Sequence, residues 1–197
     1  MAIEFQKANY EGRVPEIWRG EAKILPGGFK LTQSLPVGTV VRRGTPVFVE
    51  FSDNRTASIC KTATVLTGGT TSAPRVAKGS YFAVGDKITK IGGGASATVN
   101  AINTSNADYD VLTLSGSVTG LVAGDIIAET DAEAGSAKFA PNAVVGAELE
   151  ITGKGIPTLD VAYECVVLLP SLAFPILDEW KTGFSLKDNQ SIKLITQ

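Results

Sequence analysis

The sequence predicts a mainly β protein: a barrel or sandwich of short antiparallel strands, with extended N- and C-terminal arms and little helix. Three observations carry this expectation. Of 197 residues 44% are hydrophobic and only 19% charged, with 21 glycines, and low charge with frequent Val, Thr and Gly is the composition of strands joined by tight turns. Proline or glycine interrupts nearly every window of helical length, at a cost of about 1 kcal/mol for each Gly and about 3 kcal/mol for each Pro inside a helix. From Thr158 to Leu168, Leu159, Val161, Tyr163, Cys165 and Val167 alternate with Asp160, Ala162 and Glu164, the period-two pattern of a strand with one buried face.

In chain order, residues 1–30 read as an irregular N-terminal arm, punctuated by Gly12, Pro15, Gly20, Pro26, Gly27 and Gly28, with Ile17 and Trp18 set among charges. Residues 31–170 read as a β body. Strands are expected at Pro46 to Phe51 and at Ser58 to Leu66, separated by the turn residues Ser52-Asp53-Asn54-Arg55. Lys87 to Ile91 and Ser96 to Ile102 flank Gly92-Gly93-Gly94 and read as a hairpin. Asp110 to Leu114, Asp125 to Glu129 and Leu149 to Thr152 complete the set before Thr158 to Leu168. One internal echo stands out: Ala83-Val84-Gly85-Asp86-Lys87-Ile88 resembles Val122-Ala123-Gly124-Asp125-Ile126-Ile127, each setting a Gly-Asp turn before a strand. The two turns mark a barrel-like insert over about 78–131. Residues 171–197 form a C-terminal tail whose one helical candidate is short, around Pro175 to Lys181.

Charge and composition exclude several functions. A net charge of −2 and a pI near 5.3 argue against a general nucleic-acid binder, which needs a basic face to displace counterions. Arg42-Arg43, the only close basic pair, reads as two exposed strand-end charges. No membrane partner is expected: the longest apolar stretch, Val161 to Leu177, is broken by Glu164, Pro170 and Pro175. The N-terminal residues show no apolar signal core. Cys60 and Cys165 sit in apolar runs and read as buried thiols.

The chain contains no histidine, which removes a Ser-His-Asp triad, a Cys-His pair and His-based zinc sites together. Gly92-Gly93-Gly94 lacks the helix and lysine of a phosphate loop. Asp178-Glu179 beside Trp180 is the one acid cluster that suggests a sugar site, but adjacent acids on one segment cannot face each other across a cleft. Asp53, Asp108, Asp110, Asp125 and Asp131 are candidate calcium ligands without the D-x-D-x-D-G spacing of a calcium loop. No catalytic residue, cofactor or metal is expected.

Three stretches together resemble bacteriophage head-decoration and head-fibre proteins. They are Leu35 to Val47 (LPVGTVVRRGTPV), Lys78 to Ile88 with the strands at Ala97 to Ile102, Asp110 to Leu114 and Val122 to Ile127, and Asn142 to Gly146 leading into Thr158 to Leu168. The likeness spans roughly residues 30–170. The chain is longer than the smallest lambda-type decoration proteins and carries the tail from Ser171 to Gln197, so no binding residue is carried over. The resemblance implies a non-enzymatic virion protein, assembled in the host cytoplasm, that binds the major capsid protein on the outside of the shell as a homo-oligomer, with a trimer favoured. Closed rotational symmetry is the default for such assemblies. Ile17 and Trp18 at one end, and Leu172, Phe174, Ile176, Leu177, Trp180 and Phe184 at the other, form the candidate interface: an apolar set of this size either folds back or is covered by a partner. The alternatives are a carbohydrate-binding or adhesive β-module, for which Tyr81, Phe82 and Tyr109 are the available aromatics of the middle region, and a polysaccharide hydrolase.

Overall fold

A computed structural model describes residues 16–52, 55–93, 95–131 and 135–196. Sixteen strands follow one another along these residues with two short 3-10 turns. The first four are β1 (Trp18–Leu31), β2 (Val40–Val41), β3 (Pro46–Glu50) and β4 (Thr56–Ile59). Next come β5 (Thr62–Thr64), β6 (Arg75–Ala77), β7 (Lys87–Lys90), β8 (Ser96–Asn103), β9 (Tyr109–Leu114) and β10 (Ile126–Glu129). The last six are β11 (Ala143–Val145), β12 (Leu149–Glu150), β13 (Thr158–Leu168), β14 (Lys181–Thr182), β15 (Ser185–Leu186) and β16 (Ile192–Ile195). The fold is mainly β and barrel-like, as the composition predicts.

Two barrels share the chain. In the first, β1, β4, β3, β11 and β13 pair in that order, and β13 pairs back onto β1 to close the ring. Every pairing in the ring is antiparallel except β1 with β4. Its interior is filled by the inward residues of each strand, among them Phe29, Val47, Val49, Ile59, Val145, Leu159 and Val161. The expected irregular N-terminal arm is corrected here: from Trp18 onward it is a 14-residue strand. Pairing shifts along β13 fall between Arg19 and Lys23, Lys23 and Ile24, and Leu25 and Phe29. Gly20, Gly27 and Gly28 sit in these bulges at positive φ, and the Gly27 N–H donates to Asp160 Oδ1. The residues that read as breakers are therefore what lets a long strand bend around a small barrel.

The second barrel is inserted between β4 and β11. Its sheet runs β5-β10-β7-β8-β9-β6 and curls until Leu66, just past β5, bridges Arg75 of β6. The insert is thus larger than the expected 78–131, because β5 and β6 belong to it. The predicted strand from Ser58 to Leu66 is split at Cys60-Lys61, where the chain leaves one barrel for the other.

The sequence echo corresponds to a structural duplication. β5-β6-β7 and β8-β9-β10 are two equivalent sets of three strands that interleave: β5 pairs with β10 as β8 does with β7, and β7 pairs with β10 and β6 with β9 across the two sets. In the first turn Gly85 N donates to Val99 O and Val99 N to Asp86 O, both 2.8 Å. In the second, Gly124 N donates to Val65 O and Val65 N to Asp125 O, both 2.9 Å. Each Asp also accepts the N–H three residues back, Ala83 N on Asp86 and Val122 N on Asp125, at 2.7 Å. Gly85 and Gly124 stand at φ 97° and 92°, the left-handed region where glycine alone is unstrained.

The tail is the third correction. Rather than an arm, the described residues 171–196 return to the first barrel: β16 runs parallel to β13 and carries β15 and β14 outward. The segment before them fills the seam between the barrels. Ile176, Leu177, Trp180, Leu186 and Ile192 pack with Cys60, Val144, Ala162 and Cys165 from the first barrel and with Ala128, Ile126 and Ile91 from the second. Thr62 Oγ1 donates to Pro175 O at 2.7 Å. The predicted helix over 175–181 is reduced to one 3-10 turn, Asp178–Trp180.

Candidate functional site

A concavity lies where the barrels meet. It is a cleft of about 540 Å³ with one wall from residues 35–42 of the first barrel and the other from residues 78–82, Ile102, Thr104 and Asp110 of the second. The first wall is shaped by a turn ahead of β2, held to the loop after β12 by Gly38 N to Ile151 O (2.8 Å) and Ile151 N to Thr39 O (2.9 Å). Tyr81 pins the floor. Its hydroxyl accepts from Arg42 N at 2.9 Å and lies 3.1 Å from Thr45 Oγ1, and its ring meets Phe174 edge-on at 4.9 Å. Burial pushes the Tyr81 phenol above its ordinary pKa, so it stays protonated at neutral pH.

Three charged side chains line the cleft. Lys78 donates to Asp110 Oδ1 at 2.7 Å and to Thr104 O at 2.8 Å, and Gly79 N donates to Asp110 Oδ2 at 3.2 Å. The Arg42 side chain is exposed and has no carboxylate or ring partner among the described residues. Val37 and Val40 form an apolar lip, 71% and 42% exposed. Its neighbour Arg43 points elsewhere and lies over the Trp18 ring at 5.1 Å. The expected pair of exposed strand-end charges thus holds for Arg42 but not for Arg43, which is half-buried.

A second polar cluster sits at the neck between the barrels. Lys61, 4% exposed, donates to Asp86 Oδ2 at 2.6 Å and stands 3.4 Å from Glu129 Oε2, without hydrogen-bond alignment to the latter. Lys138 holds Glu129 Oε1 at 2.9 Å, and that hydrogen bond raises the Lys138 pKa. The cluster ties the β4–β5 crossover at Lys61 to the Gly-Asp turn at Asp86, to β10 at Glu129 and to Lys138 beyond it.

Of the two outcomes open to the candidate interface residues, folding back on the chain or cover by a partner, most take the first. Ile17, Phe174, Ile176, Leu177 and Trp180 are buried within the chain itself, and Trp18 and Leu172 are half-buried. The tail folds back because the seam between two barrels needs apolar filling. Phe184 alone remains exposed, at 64%, on the β14–β15 hairpin tip beside Lys193.

The carboxylate candidates are dispersed. Asp178 is bound to Lys181 at 2.6 Å, Trp180 turns inward, and Glu179 Oε1 accepts weakly from Ala137 N at 3.4 Å. Asp110 and Asp125 pair with lysines, Asp53 lies outside the described residues, and no three His, Cys, Asp or Glu come together among the described residues. No described helix is long and apolar enough to cross a membrane. Cys60 and Cys165 are free, buried members of the seam, and burial pushes both thiols up, Cys165 to about 12. No family model, curated protein or solved structure matches the chain.

Proposed function

We propose that the chain is a non-enzymatic structural protein of a phage virion, which binds the outside of the capsid as a decoration or head-fibre oligomer. The observation that supports this reading is where apolar surface is left uncovered. Val37, Val84, Val122, Ile156 and Phe184 are each more than 60% exposed, and all lie in turns or loops of a two-barrel body rather than in its strands. Rigid scaffolds that present side chains on loops are built for contact. The likeness of residues 30–170 to decoration and head-fibre proteins supplies the partner, the major capsid protein.

The test is absolute mass by light scattering after gel filtration, followed by co-sedimentation with undecorated phage shells. A trimer that pellets with the shells supports the reading. A monomer that stays in the supernatant counts against it. The glycan-binding alternative has less to stand on, because Tyr81 and Phe82 are only 3% and 4% exposed and Tyr109 lies beneath Arg75 at 4.4 Å.

A further inference from the structure

The cleft between the barrels has the makings of a peptide site. Its walls are tied together and stiffened by hydrogen bonds: Tyr81 is bonded to Arg42 N and Thr45 of the first barrel, while Lys78, Gly79 and Asp110 are bonded to one another in the second. Its volume, about 540 Å³, falls within the roughly 300–1,000 Å³ of ligand sites. Lys78 and Asp110 neutralise each other at 2.7 Å. Arg42 is therefore the one uncompensated charge among the lining residues, in a chain whose net charge is −2.

A guanidinium is a planar fork of donors that matches a carboxylate. On either side of it the walls are apolar: Val37, Val40 and Pro36 in one, Phe82 and Ile102 in the other. The Thr39 and Ser80 hydroxyls, half-buried along the walls, have no protein partner among the described residues. They offer hydrogen bonds to a backbone, which a simple fatty acid lacks. A sugar is disfavoured because both aromatic rings of the cleft are buried and present no face for stacking.

We propose that this cleft seats an extended segment of a partner protein carrying Asp or Glu beside an aliphatic side chain. The carboxylate pairs with Arg42, and the aliphatic group covers Val37 and Val40. The inference stands apart from the virion assignment, because it follows from the cleft alone and its test uses no capsid.

The test is titration of the 15N-labelled full chain with the capped peptide Thr-Val-Asp-Leu-Thr, and with a counterpart carrying Lys in place of Asp. Expected are amide shifts confined to residues 35–42 and 78–82, and at least tenfold weaker binding of the Lys peptide. Arg42→Glu should reverse that preference, and Arg42→Lys should keep its sign. Arg42 is exposed, so an unchanged spectrum elsewhere shows that the variants fold. Four results would each overturn the proposal: no shift at millimolar peptide, shifts at another surface, equal binding of the two peptides, or tighter binding of octanoate. Shifts of the same amides on concentrating the protein alone would mean that a second copy of this chain is the occupant, and would also overturn it.

Discussion

Lys61 shows how much one side chain can decide. A lysine this buried is tolerated only because Asp86 and Glu129 face its ammonium group. Removing one member of a buried ionic cluster strands the others, at a cost of about 3–5 kcal/mol. Lys61→Met is therefore expected to lower the urea unfolding free energy by that amount, and adding Asp86→Asn and Glu129→Gln should recover part of the loss. Asp125 gives the pH dependence. The hydrogen bond from Lys90 holds its carboxyl below the ordinary 3.8, with the Val122 N–H adding to the effect. The folded pKa is thus lower than the unfolded one. The ionised group stabilises the fold above about pH 3.8, and the contribution is lost as pH falls through the lower folded value. Asp125→Asn should be less stable than the parent at pH 7, and the gap should narrow by pH 3, read as the difference in denaturation midpoints. At the cysteines, burial and raised thiol pKa values predict negligible alkylation of native Cys60 and Cys165 at pH 8 and rapid alkylation in urea, counted by mass.

Among the elements, the tail behaves least like its sequence. Its apolar residues read as a set that either folds back or meets a partner, and most of them fill the seam of their own chain. Trp180→Ala is expected to cost about 3–5 kcal/mol, as for a large aromatic in a core, measured by urea unfolding. Phe184→Ser should leave the monomer within about 0.5 kcal/mol of the parent; a shift in solution mass would then mark the hairpin tip as an oligomer contact. Gly44 lies against Ile17 and Leu172. It stands at φ +82°, and a Cβ there would lie 2.6 Å from Ile17 Cγ2 and 2.8 Å from Leu172 Cδ2. Gly44→Ala adds left-handed strain of about 1–2 kcal/mol to the displacement of both neighbours, so a clear fall in melting temperature is expected. The strand β1 teaches the converse lesson. Glycine and proline at Gly20, Pro26, Gly27 and Gly28 signal a break in a flat strand, but in a closed ring they are the bulges that permit closure.

At the scale of the molecule, the second barrel is an insertion with adjacent ends: Glu129 N donates to Lys61 O at 3.1 Å. Its interior, with Val65, Val76, Phe82, Ile88, Val99, Leu112, Leu114 and Ile127, is a cluster of its own. A fragment spanning residues 61–130 should fold alone with a cooperative urea transition. It should be weaker than the parent, because Ile91, Ile126 and Ala128 on its outer face lose their cover. A dispersed amide spectrum would confirm independent folding, and a collapsed one would show that the seam is required.

The sequence by itself determined the class of fold, the bounds of β13 and most strands of the second barrel, and the Gly-Asp echo that marks its duplication. These are local: period-two burial and turn chemistry act within about ten residues, so a linear reading captures them. It also placed Cys60 and Cys165 indoors, because thiols within apolar runs have no reason to face water. Only the tertiary structure decided the rest. Closure of two rings turned breakers into bulges. Docking of the barrels created a seam for the tail and a cleft that sets Arg42 apart from Arg43. These outcomes depend on which distant surfaces meet, and contacts such as Tyr81 with Arg42 and Thr45 join residues whose local sequence says nothing of one another.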